Sequence, residues 1–396
     1  CTLIGDPTCG IWEYGRWSLR RIALFSCIAF CFVSFFLEYA PKIKLRLLQI
    51  LEAIRGRLVH VALALVVFLC LSTGLGLVLC VCCMVAPFAA YVFSGCLVAC
   101  ALILAIAARR KIGISVMFSA AAITVGLCFA VICPSVVGLV WDDEIHYGNI
   151  LRVSYLEEPS YTYSDDLMMF HGDHPESWIL EGDADDVRRY TDILNSSINV
   201  SSVDMANREN DPSPNYILSS VQNIAYIPSA FGLWLGRLLH LPFNSVVVLG
   251  RLASLLFYVM ICALSIRITP IKKTLLASVA LLPTTIVLAS NFTYDTWIIS
   301  FVFLGTALLA KIICGSEKVR CIDLLPALVS FTMAIVVKPV YVPLVGLLAL
   351  LDKGRFVDKR QQALYIGGIA CAVILLVASF VVPFVLFGTG GNDMRG

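Results

Sequence analysis

The sequence predicts an all-α polytopic membrane protein with about ten transmembrane helices and one large extracytoplasmic loop. Three observations carry that expectation. Of 396 residues, 59% are apolar and 14% charged, against roughly 45–50% and about 25% in an ordinary soluble domain. Between His60 and Arg109 no residue carries a formal charge, a stretch more than twice the roughly 20 residues that cross a bilayer as a helix. The apolar runs show no two-residue alternation, and a helix satisfies its backbone groups within one segment, as hydrocarbon demands.

Taken in order, apolar spans fall near 22–39, 58–80, 85–107, 114–140, 244–266, 274–290, 296–313 and 322–338, with a short one at 340–351 and a last one at 363–387. Short basic connectors separate them: Lys42 to Arg57, Arg109 to Lys111, Arg267 to Lys273, Lys311 to Arg320 and Lys353 to Arg360. If the spans are crossings, all five connectors share one side, which the positive-inside rule makes cytoplasmic. Residues 141–216 then lie outside and hold 17 of the 27 acidic residues, with four Arg and no Lys. The net charge of +2 is a cancellation between two faces. Residues 195–215 read as linker, and 216–241, punctuated by Pro228, Gly232 and Gly236, lies along the outer face or re-enters it.

The chain therefore divides into extra membrane spans at 1–113, a membrane helix at 114–140, an acidic loop at 141–216 and a second group of membrane helices at 217–396. It begins at Cys1 without an initiator Met and reads as part of a longer protein. None of the sixteen cysteines lies between Cys133 and Cys262, so they read as small apolar side chains of the spans.

The residues that bear chemistry cluster at the predicted outer face. Trp141-Asp-Asp-Glu-Ile-His-Tyr147 stands where a span ends, and crowding Asp142, Asp143 and Glu144 beside His146 in a partly desolvated place raises at least one carboxylate pKa toward that of a general base. A helix starting here puts Asp142 and His146 on one face and Asp143 beside Tyr147. Lys338 precedes Pro-Val-Tyr341 at the outer end of another span, an unexpected place for a lone cation, whose natural partner is a phosphate or a carboxylate. Arg237 and Arg251 follow glycines near the same face and are either anion contacts or structural ion pairs. Asn291-Phe-Thr-Tyr-Asp295 forms an outer turn in which Asp295 reads first as a helix cap. His171-Gly-Asp-His174 has a spacing that a divalent metal accepts, so a metal cofactor stays open. No phosphate-cradling glycine loop or nucleophile elbow occurs, and neither a nucleotide cofactor nor nucleic acid is expected.

The order of these motifs resembles a known family. Asp142-Asp143-Glu-Ile-His146-Tyr147 is similar to the Asp-Glu-x-x-His-Phe motif of bacterial membrane proteins grouped as domain of unknown function 2142, with Asp143 where Glu is usual. Tyr226-Ile-Pro-Ser-Ala-Phe-Gly232, Gly236-Arg237-Leu238, Leu249-Gly-Arg251, Leu281-Leu-Pro283, Tyr294-Asp295 and Lys338-Pro339-x-Tyr341 follow in the matching order. The resemblance spans roughly residues 114–396.

That family is similar in turn to class C (GT-C) glycosyltransferases. The resemblance implies a GT-C-like fold in the cytoplasmic (inner) membrane of a bacterium and inverting transfer from a polyprenyl-phosphate sugar donor to a cell-envelope glycan or glycolipid. It makes Asp142 or Asp143 the base, with Glu144 and His146 in support. Arg237, Arg251, Lys338, Tyr341 and Asp295 become substrate contacts, within surrounding membrane lipid. Two other classes are compatible with the sequence: a transporter or flippase of lipid-linked saccharide, and a non-catalytic envelope scaffold.

Overall fold

The computed structural model describes residues 58–82, 87–110, 112–137, 142–155, 160–170, 174, 184–205 and 223–387. Every regular element among them is helical, and the only β pairing is two isolated bridges, Thr162 with Ser201 and Val319 with Phe356. Helices α1 (Leu58–Cys82), α2 (Pro87–Arg110) and α3 (Ile114–Ile132) follow one another through short connections and pack in sequence. Three shorter helices come next: α4 (Asp143–Ser154), α5 (Tyr163–Met169) and α6 (Ala184–Ser196). The second group begins with a 3-10 turn at Asn223–Tyr226 and continues as α7 (Ile227–Leu238), α8 (Phe243–Ile268), α9 (Lys273–Ala280), α10 (Pro283–Ala289), α11 (Asp295–Cys314) and α12 (Cys321–Ile335). A 3-10 segment, Pro339–Leu350, then leads to α13 (Lys359–Phe387).

Among the described residues four stretches are long and apolar enough to cross a membrane: Ala62–Val81, Ile114–Ile132, Phe243–Ile268 and Asp295–Cys314. Ala89–Ile103 and Cys321–Ile335 are apolar but shorter. Two of the other expected spans are interrupted by proline. The run at 274–290 is two short helices, because Pro283 lacks a backbone N–H and forces Leu282 into an extended conformation at ψ 137°. Residues 339–350 wind as a 3-10 helix with Pro339 and Pro343 in it. The expected span at 22–39 and the basic connector at 42–57 lie outside the described residues.

Side-chain bonds fix the helix directions. Ser115 Oγ near the start of α3 donates to the Ala263 carbonyl near the end of α8 at 2.8 Å, so α3 and α8 are antiparallel. Phe292 packs at Gly250, and Trp297 stacks on Phe257 at 5.1 Å, so α11 descends alongside α8 in the same direction. Trp297 Nε1 donates to the Met333 carbonyl at 2.9 Å, and α12 returns. The connectors beginning at Arg267, Lys311 and Lys353 therefore collect at one end with the start of α3. Lys318 donates to the Gly354 carbonyl there, and Arg355 to those of Ile312, Ile313 and Glu317. The acidic motif lies at the other end.

Helix α7 is a half-length element folded back on the first half of α8. Gly232 and Gly236 form a small-xxx-small stripe that lets the two backbones approach. A Cβ on Gly232 would stand 2.5 Å from the Leu249 carbonyl oxygen and 2.7 Å from Gly250 Cα, and one on Gly236 would stand 3.0 Å from Val246 Cα. Since backbone cannot swing aside as a side chain does, Gly232→Ala is expected to cost about 1–3 kcal/mol through overpacking, read as a lowered thermal midpoint in detergent. The alanine variant at the open position Gly346, where nothing lies within 4 Å, serves as the unaffected comparison.

Candidate functional site

Helix α4 buries Asp143, His146, Tyr147, Ile150, Leu151 and Ser154, an i, i+3, i+4, i+7 stripe that docks one face on the bundle. Its buried face brings Tyr147 against Phe292, with ring centres 5.2 Å apart. The Tyr147 hydroxyl donates to Asp165 Oδ1 at 2.9 Å, and Asp165 closes a capping box with Thr162 at the start of α5. The polar loop is thus tied to the membrane helices through α4.

This docking separates the three consecutive carboxylates. Asp143 is 3% exposed and close enough to Arg251 for their charges to attract. Asp142 is exposed and lies before the first turn, at φ 61° and ψ 20°, with no cap bond from its carboxylate. A left-handed backbone at a helix N-cap is unusual, since that position is normally extended; Asp tolerates it better than most residues. The four-residue spacing therefore pairs Asp143 with Tyr147 on the buried face, while Asp142 sits ahead of the helix. Glu144 is half-buried.

His146 is the point of convergence. Its Nδ1 lies 2.8 Å from the Tyr226 hydroxyl, its ring meets that of Tyr294 edge-on at 4.6 Å, and it is 5% exposed. Burial holds the imidazole pKa below its ordinary value, assisted by the Lys338 charge and opposed by Asp295, Asp142 and Asp143. Tyr226 also hydrogen-bonds Asn149, and burial pushes its phenol pKa up. Across the cluster, Lys338 Nζ lies 4.0 Å from Asp295 Oδ1 and 5.1 Å from the centre of the Tyr294 ring. Burial works against the ammonium, but Asp295, a hydrogen bond to the Tyr294 phenol and the nearby Tyr341 outweigh it and raise its pKa. Asp295 is the first residue of α11, not its cap, and its N–H donates to Thr293 Oγ1 at 3.1 Å. Residues 142–149, 226, 294–295 and 338–341 thus form one polar cluster from four separate stretches.

The two arginines expected to hold a donor phosphate are placed otherwise. Arg251, 1% exposed, donates from Nη1 to the Cys133 carbonyl at 2.8 Å and from Nη2 to those of Pro134 and Val136 at 2.9 and 3.4 Å. These carbonyls follow the last turn of α3, where a helix leaves acceptors unsatisfied. Arg237 donates from Nη2 to the Ser154 carbonyl and hydroxyl at 3.0 and 2.7 Å and lies over the Tyr155 ring at 4.2 Å. One α7–α8 hairpin therefore clamps the end of α3 with one guanidinium and the end of α4 with the other. In this structure both guanidinium groups bond protein oxygens.

Of the metal-like pair, His174 Nε2 lies 3.4 Å from Asp166 Oδ1, His171 lies outside the described residues, and no group of three metal-ligating side chains occurs among the described ones. Sequence reasoning missed Tyr226, Tyr294 and Asn149 as site residues. The two tyrosines stood in motifs already singled out, but nothing local marks a tyrosine as meeting a histidine 80 residues away.

The apolar helices and the charged cluster gathered near one end of them define an integral membrane protein of helical type. A family model described as "Predicted membrane protein (DUF2142)" matches residues 197–394, half of the chain. The chain belongs to that family. The matched stretch includes Tyr226, Arg237, Arg251, Asp295 and Lys338 and begins after the Asp142 motif. No curated protein and no solved structure matches the chain.

Proposed function

We propose that the chain is a membrane glycosyltransferase of GT-C type, acting at the extracytoplasmic face of a bacterial inner membrane. It moves a sugar from a polyprenyl-phosphate donor to a cell-envelope glycan or glycolipid. The observation that carries this reading is the convergence of Asp142, His146, Asp295 and Lys338 on one cluster. An exposed carboxylate and a half-exposed ammonium in one aromatic and polar cluster suit a reaction between a hydroxyl and a lipid phosphate ester.

The reading assigns roles as follows. Asp142 accepts the proton of the acceptor hydroxyl as its oxygen bonds to the anomeric carbon. The bond from that carbon to the phosphate oxygen breaks with its electron pair, and Lys338 stabilises the departing phosphate. Displacement from the opposite side inverts the anomeric centre. Asp143, answered by Arg251, holds α4 in register. Tyr341 and Asp295 set the position of Lys338.

A second reading rests on a specific observation. The chain contains a broken helix pair, α9–α10, and a half-length helix, α7, and discontinuous helices recur in secondary transporters. One experiment separates the two: purified protein in nanodiscs and in proteoliposomes is given a radiolabelled polyprenyl-phosphate sugar with a glycan acceptor. Release of lipid phosphate with labelled glycan supports the transferase; headgroup translocation without product replaces it with the transporter.

A further inference from the structure

The clamps leave the cluster short of positive charge. With Arg237 and Arg251 engaged on carbonyls, Lys338 is the cation facing His146 among the described residues. The charge of Asp143 is felt by Arg251, while Asp142 and Asp295 are both near enough for their charges to act on His146. Before any anion arrives, two carboxylates oppose one ammonium. A phosphate diester adds a further negative charge, which a single lysine cannot balance.

The other group able to become positive there is His146. Its imidazole and the Lys338 ammonium share one aromatic neighbour, Tyr294, at 4.6 Å and 5.1 Å. We propose that anion binding at Lys338 is proton-coupled: a phosphate diester binds together with a proton, which His146 takes up to become the second cation of the subsite. The inference rests on reading Lys338 as the phosphate contact.

The geometry suits this role. Nδ1 lies against the Tyr226 hydroxyl at 2.8 Å, and a phenol both donates and accepts. That hydrogen bond therefore persists when the ring gains a proton, with the phenol turning to accept. Tyr226 itself stays protonated, since burial pushes its pKa up. The remaining groups facing the ring are Asp142 and Asp143 from α4, Tyr294 and Asp295 from α11, and Lys338. None of the carboxylates has lifted the imidazole above its ordinary pKa, because burial outweighs them; an added anion tips that balance. By reciprocity, whatever makes the proton bind more tightly must itself bind more tightly to the protonated form.

The sign follows directly. His146 is neutral in the free site at neutral pH, and a bound anion raises its pKa. Affinity therefore strengthens as pH falls from the bound-state pKa toward the free-state one, by up to about tenfold per pH unit for one proton. The slope vanishes below the free-state value, where the ring is already charged.

The test uses the purified chain in phosphatidylcholine nanodiscs titrated with dibutyl phosphate, a diester whose own charge stays fixed between about pH 5 and 8. Calorimetry in two buffers of different ionisation heat counts protons. The expected result is uptake approaching one proton per anion, affinity rising as pH falls, and loss of the uptake in His146→Gln. Binding by the unaltered protein without proton exchange, or weakening as pH falls, overturns the proposal without recourse to any variant. Equal binding by Lys338→Gln places the anion elsewhere and removes the reading beneath it. Discs containing phosphatidylglycerol distinguish the source of the phosphate: displacement of dibutyl phosphate, with uptake retained, supports a lipid headgroup, and no displacement with uptake retained supports a free phosphate ester.

Discussion

Replacing Arg251 with methionine is expected to destabilise the chain by about 3–5 kcal/mol, because three buried carbonyls lose a charged donor. Methionine keeps much of the volume, so the loss is electrostatic. The carbonyls of Cys133, Pro134 and Val136 lose their donor, and Asp143 keeps its buried position without the charge that answers it. Each unsatisfied buried acceptor costs about 1–3 kcal/mol. The check is the thermal midpoint in detergent, which should fall on the order of ten degrees. Adding Asp143→Asn to the methionine variant removes the orphaned charge and should recover part of the loss. Additive losses from the two substitutions would show that Asp143 and Arg251 do not act as a pair.

If the chain is the transferase proposed above, Asp142→Asn lowers sugar transfer by about two to four orders of magnitude, the usual contribution of a positioned base, while leaving stability within about 0.5 kcal/mol of the parent. The contrast with its neighbour is the informative part. Asp142 is exposed and makes no cap bond, so its amide variant disturbs little. Asp143 is buried beside a guanidinium, so Asp143→Asn should lose stability first and activity only through it. A transfer assay paired with thermal denaturation checks both variants. Undiminished transfer by Asp142→Asn would remove it as the base.

Much of the fold was legible because it rests on local patterns. Apolar runs marked α1, α2, α3, α8 and α11, and the basic connectors marked the end at which they meet. Two of the expected spans take a broken form. Leu281-Leu-Pro283 and Lys338-Pro339 interrupt apolar stretches that hydropathy averages over, whereas proline acts on the backbone and breaks them. Of the residues named from sequence, His146 packs on Tyr294, and Lys338 lies beside Asp295 and the same ring. Tyr226 and Tyr294 were not named as site residues, because aromatic side chains are unremarkable in a membrane sequence until their neighbours are known.

What the sequence by itself determined is the sorting of charge: apolar helices, a basic end, an acidic loop, and the few ionisable residues at the opposite ends of spans. These follow from solvation, which each residue meets according to its own side chain. What only the tertiary structure decided is how each charge is used. Gly236-Arg237 and Gly250-Arg251 look alike in sequence and both suggest an anion site. Their guanidinium groups instead close on carbonyls, those answering Arg251 more than a hundred residues away in the chain, while Lys338 stays half-exposed beside Asp295. Asp142 and Asp143 are adjacent and identical, yet one is exposed and the other faces a buried arginine. A charge acquires its role from the groups that desolvate and pair it, and in this chain those groups come from distant helices.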